Sequence, residues 1–595
     1  MKRIYILSLS FIILFHVHAQ WQSALVNISE QGDLTYNKDS KGFIIPDFSN
    51  AGYKNGQDIP DRTRSISPLE DSTADNTAHI EAIIDQVSEY SLDDNGFRGV
   101  VYLSAGNDQP LNLMIHPASV TPNSALLIWD KPIDDADIKG YEIYKNNEFL
   151  GFSYKTNFTV NDLIPDKIYT FYIKSKHKTG EVSQPSVSVA AKTKSEGKII
   201  NVLDYGAIGD GVTLNTEKIQ KAIDNCPEGS SVYIPEGVFL SGALFLKSNM
   251  TLYIEKNGVL KGSIFANDYK PIVYNRFEGW ETKTYASLIN AGKMDKNGEC
   301  TVSNVIIRGE GKIIGGGMAL SGDMIASKGM RGRGRLICLM NCSNVFIQGL
   351  TIEDSPCWTI HYIYSKNIIL EGLTINSIVR NGDGIDPDSS TDSYILNCIF
   401  NTNDDCIAIK SGKNPEGYYI GRPSENIHIF NCLFIKGHGI SIGSEMSGGI
   451  KNIEIRDCVA KNLMHGLQIK ATKERGGVVE NIRVKDCILP CIRVFTSVNY
   501  NNDGISAPET PLFKNFEFSD INIENKQEKP VIIIEGFSDK KHYTKNLLFE
   551  NIVLPENSVI QLSHVNGALF KNVKCISGNK PEYIEKNTFN IKTNL

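Results

Sequence analysis

Three carboxylates in two short segments have the type and spacing to attack a bond. Asn381-Gly-Asp-Gly-Ile-Asp386 is followed, 21 residues after Asp383, by Asp404-Asp405. Gly437-His438-Gly439 comes next, and then Gln468-Ile-Lys470. Like charges a few ångströms apart raise at least one carboxyl pKa. A protonated carboxyl to donate to a leaving oxygen, with a carboxylate to activate water, is what hydrolysis of a glycosidic bond requires. The glycines beside these groups leave room for a sugar. Taken alone, Asn-Gly-Asp-Gly marks a turn. Only four segments recurring in register make a site.

A repeat supplies that register. The pattern Asn-apolar-x-apolar recurs at Asn304, Asn344, Asn367, Asn426, Asn452, Asn481, Asn515 and Asn546, at intervals of 23 to 40 residues once Ser393-Tyr-Ile-Leu-Asn397 fills the gap after Asn367. One short strand plus turns per interval is the mark of a solenoid. Strands this short bury no core alone, but stacked coils bury a continuous one. Asn at each turn start tolerates left-handed backbone and can hydrogen-bond the Asn of the next coil. The pattern predicts an all-β chain with a right-handed parallel β-helix over 198–595; a propeller would need about 40 residues and four strands per blade. One coil is about as long as the step from Asp383 to Asp404. Asp383, the Asp404-Asp405 pair, His438 and the Gln468/Lys470 pair therefore fall on consecutive coils.

Other segments precede the solenoid. Lys2 and Arg3, the apolar run Ile4 to Phe15 and Val17-His-Ala19 read as a signal peptide over 1–19, which implies export to the periplasm or medium. Residues 20–109 hold a short helical pattern (Ile80, Ile83, Ile84, Val87) and a strand at Val100 to Leu103. The solenoid opens with the same order: a helix with Ile219, Ala222 and Ile223 on one face, then a strand and Gly237. The first region is therefore a candidate partial duplicate of a β-helix cap. Residues 110–195 alternate short strands such as Ala125 to Trp129, Tyr141 to Tyr144 and Tyr169 to Ile173 with turns, which predicts a β-sandwich. Trp129 and Leu163-Ile-Pro-Asp-Lys-Ile-Tyr169 resemble a fibronectin type III domain, whose usual role is spacer or platform.

The four polar segments, in order, resemble the polygalacturonases, glycoside hydrolase family 28. The family's Asn-Thr-Asp stands as Asn381-Gly382-Asp383, its Asp-Asp as Asp404-Asp405, and its Gly-His-Gly as Gly437-His438-Gly439. The resemblance implies a pectic polysaccharide or oligogalacturonide as substrate, and no cofactor. It implies Asp404 as general acid, Asp383 and Asp405 as the groups that hold and deprotonate water, and His438 as a partner within that network. It also implies inversion, with acid and base carboxyls about 6.5–9.5 Å apart. Candidate substrate contacts are Lys470, Gln468, Asn381, Lys410, Arg422 and Tyr500. The family's Arg-Ile-Lys is Gln468-Ile469-Lys470 here, so a bidentate Arg–carboxylate contact is missing at that position. Lys410, Lys473 and Arg475 are candidate substitutes. The loop from Gly412 to Pro423, together with Gly443-Ser-Glu-Met-Ser-Gly-Gly449, resembles the exo-acting branch, in which added loops close one end of the cleft.

Composition fits an exported enzyme of this kind. The 595 residues carry a formal net charge of -7. An acidic substrate therefore needs local basic groups in the cleft, and nothing suggests nucleic acid. After the leader no stretch reaches about 18 apolar residues, so no membrane span is expected. Twelve cysteines without a C-x-x-C pair argue against a zinc site; most read as interior packing. Two other functions share some of these features. A pectate lyase would use the aspartates for calcium, and a non-catalytic carbohydrate-binding protein would need aromatic platforms rather than acids. Within hydrolases, a rhamnogalacturonan-type enzyme is the alternative that Gln468 suggests.

Overall fold

The computed structural model describes residues 108–133, 135–461, 463–496, 504–524 and 530–594, with isolated pieces of the first 107. The chain divides into two units, 1–107 and 108–595. In the first, Val26–Ile28 pairs antiparallel with Leu34–Tyr36, and Ser65–Ile66 pairs parallel with Val100–Val101. The expected leader over 1–19 lies outside the described residues, as do Ile80 and Ile83 of the expected helix.

In the second unit the solenoid forms as its repeat predicts, a right-handed parallel β-helix, with one correction. Each central coil carries three strands rather than one. Two lie in a continuous 24-stranded sheet and the third in a 12-stranded sheet. One such coil runs Lys366–Glu371, Thr374–Ser377 and Ile385–Asp388; the next runs Thr391–Leu396, Ile399–Thr402 and Ile407–Ile409. The extra strands escape period-2 reading because they span three or four residues, and those of the third set are buried throughout. Ile347, Leu370, Ile395, Ile429 and Ile455 stack coil upon coil inside the helix. Burying each such side chain contributes roughly 1.5–3 kcal/mol. The helix Thr216–Asn225 turns Ile219, Ala222 and Ile223 into the same core.

Every repeat asparagine has a positive φ, between 54° and 60°. Its amide donates to the preceding coil, as in Asn344 to Asn304 (3.1 Å), Asn452 to Asn426 (3.2 Å) and Asn481 to Asn452 (3.0 Å). Between Asn367 and Asn426 the position belongs to Asp392, which accepts from Asn426 at 3.0 Å. The ladder therefore passes through Asp392 rather than Ser393 or Asn397.

Residues 111–192 form two antiparallel sheets of three and four strands around Trp129, Tyr141, Tyr169 and Phe171. Their strand Ala125–Asp130 is buried on both faces. Ala125, Leu127 and Trp129 enter the sandwich core, while Leu126 and Ile128 pack on Ile306, Phe346, Ile369, Leu396 and Phe430 of the β-helix. Lys131 bridges Asp457 (2.5 Å) and Asp486 (3.0 Å), and Arg456 donates to Thr156 (2.5 Å). The sandwich is docked on the solenoid, not strung from it.

Candidate active site

The 12-stranded sheet sets the site. Ile360 pairs with Ile385, Ile385 with Ile407, Ile407 with Ile440, and Ile440 with Leu467. This register lines up Asp386, Ala408, Ser441 and Gln468 as one row. Just before these strands the backbone brings Asp383, Asp405 and His438 together, through Gly384 N to Asp405 O (3.0 Å) and His438 N to Asp404 O (3.0 Å).

Two charge clusters result. In the first, Lys410 Nζ lies 3.3 Å from both Asp383 Oδ2 and Asp386 Oδ1. All three side chains are buried. Asp383 Oδ1 and both Asp386 oxygens accept no hydrogen bond, so the Lys410–Asp386 contact is one of proximity alone. Burial, and then the neighbouring Asp386 charge, push the Asp383 carboxyl well above the usual carboxylate range, although Lys410 opposes this. Burial likewise raises Asp386. Lys410 stays charged. Burial acts against it, but Glu445, Asp383 and Asp386 outweigh burial.

In the second cluster, Asp405 accepts from Gln468 Nε2 at 3.1 Å and from Lys470 Nζ at 3.2 Å. His438 Nδ1 is 3.3 Å from Asp404 Oδ1 and 3.4 Å from Asp405 Oδ1. Burial works against the Asp405 charge, but Lys470 and the His438 hydrogen bond outweigh it and hold this carboxyl far below its ordinary range. Its contacts with Asp404, then Asp405, hold the His438 imidazolium to about 9. The Asp404 side chain is 28% exposed against 7% for Asp405, so Asp404 is the acid that solvent or a ligand reaches. Asp404, Asp405 and His438 also bring ligand atoms within 4.8 Å of one another.

The remaining sequence candidates divide. Lys410, Lys470 and Gln468 join the carboxylates. Both N–H bonds of Gln468 point inward, to Asp405 and to Ser441 Oγ (2.7 Å), so it orients the acid instead of offering a donor to a ligand. Asn381 accepts from Arg333 Nη2 at 2.7 Å in a positive-φ turn. Arg422 lies over the Tyr364 ring and donates to Lys296 O at 2.9 Å. Lys473 is exposed beside Glu474, and Arg475 is buried against Ser444 O and Asn414 Oδ1. Tyr500 lies outside the described residues.

Sequence reading missed Arg276 and Asp388 in the wall behind the row. The hairpin Val273–Phe277/Trp280–Thr284 places Arg276 against Asp388 at 2.6 Å and against Tyr364. His361 closes on Asp388 at 3.4 Å. Burial works against the Asp388 charge, but Arg276 and then His361 hold it down at about 2. Trp358 is stacked on Phe277 at 5.1 Å beneath Lys410. Asp386 ends the motif Asn381–Asp386 and Asp388 lies two residues beyond it, close enough for the sequence to have offered it. Arg276, 112 residues upstream, gives no local signal.

The family model described as glycosyl hydrolases family 28 matches residues 231–566, and the fibronectin type III model matches 108–191. An exo-poly-alpha-D-galacturonosidase from Dickeya chrysanthemi is 29% identical over 554 residues, which cover 79% of this chain and 91% of the relative. The structure of a family 28 exopolygalacturonase from Yersinia enterocolitica superposes with a TM-score of 0.76 at 27% identity, covering 81% of this chain and 99% of that one. A hyperthermoactive exopolygalacturonase from Thermotoga maritima follows, with TM-score 0.53, 29% identity, and 67% and 92% covered. No described helix is long and apolar enough to cross a membrane.

Proposed function

Because the chain belongs to glycosyl hydrolases family 28, we propose that it is an exported exo-polygalacturonase, releasing galacturonate from pectic chains with inversion. Asp404 protonates the leaving oxygen. Asp405, held ionised, takes the proton of the attacking water, and Asp383 helps to hold that water. Asp383 and Asp386 share one proton, because two buried carboxylates before a single Lys410 cannot both ionise cheaply. Asp383 accepts a hydrogen bond from water when that proton rests on Asp386. His438 hydrogen-bonds within the Asp404–Asp405 pair and orients both carboxyls.

The observation that carries this reading is the difference within the Asp404–Asp405 pair: Asp405 is buried and held by Lys470, Gln468 and His438, while Asp404 beside it is the carboxyl that solvent and a ligand reach. Environments that drive acid groups apart in this way assign acid and base roles. The exo-acting relatives support the mode of attack.

The test is product analysis on polygalacturonic acid in the presence of a chelator, with Asp404→Asn as control. Monogalacturonate alone, absent with the variant, is expected, and NMR of the fresh product should show the anomer opposite to the substrate's. Mixed oligomers would make the enzyme endo-acting. Unsaturated products that need calcium would sink hydrolysis. Turnover confined to rhamnogalacturonan fragments would move the substrate.

A further inference from the structure

The row through Asp386, Ala408, Ser441 and Gln468 continues one coil further. Gln468 pairs in register with Arg493, and Arg493 with Ile533. Arg493 is therefore the last cation on this row, about 4.8 Å along the cleft floor from Gln468. Its guanidinium is half-buried. Nη1 lies 3.1 Å from His465 Nδ1, the group sits 5.5 Å from the Phe495 ring centroid, and the enclosed Nε makes no hydrogen bond. Burial, then the charges of Arg493 and His438, push His465 down to about 4, so it is a neutral acceptor that steers Arg493. The cleft carboxylate Asp405 already faces Lys470, Gln468 and His438.

Among the described residues no carboxylate pairs with Arg493. A part-buried charge without a counter-ion is costly, and an anion from outside removes that cost. We propose that Arg493 binds the carboxylate of a uronate unit lying beside the cut, on the side of the later coils, with His465 as its positioning residue. This rests on the hydrolase reading above. It also supplies a guanidinium one coil away from the position where Gln468 cannot.

The test compares Arg493→Gln with wild type on trigalacturonate and on its methyl ester, with Arg493→Lys as the charge-retaining control. KM for the acid should rise about tenfold or more, as expected for losing one charge-assisted contact. The change in kcat should be much smaller. Lys should recover part of the loss, and the ester, lacking the charge, should lose far less. An equal penalty on acid and ester, or no penalty on either, overturns the contact. Calorimetric binding of trigalacturonate to Asp404→Asn, with and without Arg493→Gln, separates the two readings. Binding that depends on Arg493, beside a wild type that does not turn trigalacturonate over, keeps the contact and sinks the hydrolase. Turnover with an unmoved KM sinks the contact alone. No binding at all sinks both.

Discussion

Two ladders run along the same solenoid and use the same register to opposite ends. On the 24-stranded sheet, each asparagine gives its amide to the oxygen of its neighbour, so every added coil brings a satisfied pair. At the edge of the 12-stranded sheet, the coils gather Asp383, Asp386, Asp404 and Asp405, groups that repel one another and are only partly compensated by Lys410, Lys470 and His438. Repetition stabilises where the repeated group both donates and accepts. Where it can only accept, repetition accumulates charge, and that charge is available for chemistry. The contrast recurs within four residues. Asp388 is fully buried yet ionised, because Arg276 meets it. Asp386, equally buried, shares Lys410 with Asp383 and resists ionising.

The sharpest way to break this comparison is to remove a cleft acid. Asp405→Asn should lower kcat about 10²–10⁴-fold and also lower the melting temperature, since Lys470 and His438 lose the carboxylate they hold ionised. An unchanged kcat would mean that Asp405 takes no part in the chemistry. Next comes Arg276→Met, which strands the Asp388 carboxylate. It should cost about 3–5 kcal/mol in denaturant unfolding, and a loss below about 1 kcal/mol would show that Asp388 simply takes up a proton.

A pH profile follows. The folded-state pKa of His438 is raised from 6.5 to about 9. Its proton-linked stabilisation is therefore fully present below about 6.5 and is lost as pH rises through about 9. Activity should fall across that same upper limb, and His438→Gln should remove the limb. A limb that survives the substitution belongs to another group. The smallest effect should be on the outer ladder. Asn452→Ala should cost roughly 0.5–1.5 kcal/mol and leave kcat alone, and a change in kcat would mean that the two ladders communicate.

Much of this was legible in the sequence because a solenoid makes spacing along the chain equal to position in space. One coil's worth of residues separates Asp383 from Asp404-Asp405, so their meeting could be read directly. The asparagine turns were legible because few side chains tolerate that backbone. Three strands per coil were not, since strands buried on both faces lose the alternation that marks them.

The sequence by itself determined the repeat, the order of the polar segments and the meeting of the acids, all consequences of local periodicity. Only the tertiary structure decided what each acid experiences. Arg276 reaches Asp388 from a hairpin 112 residues away, Gln468 turns inward to Asp405, and the sandwich docks through Leu126 and Ile128. Charge state depends on burial and on neighbours in three dimensions, and for these groups the deciding neighbours come from segments that no spacing rule connects.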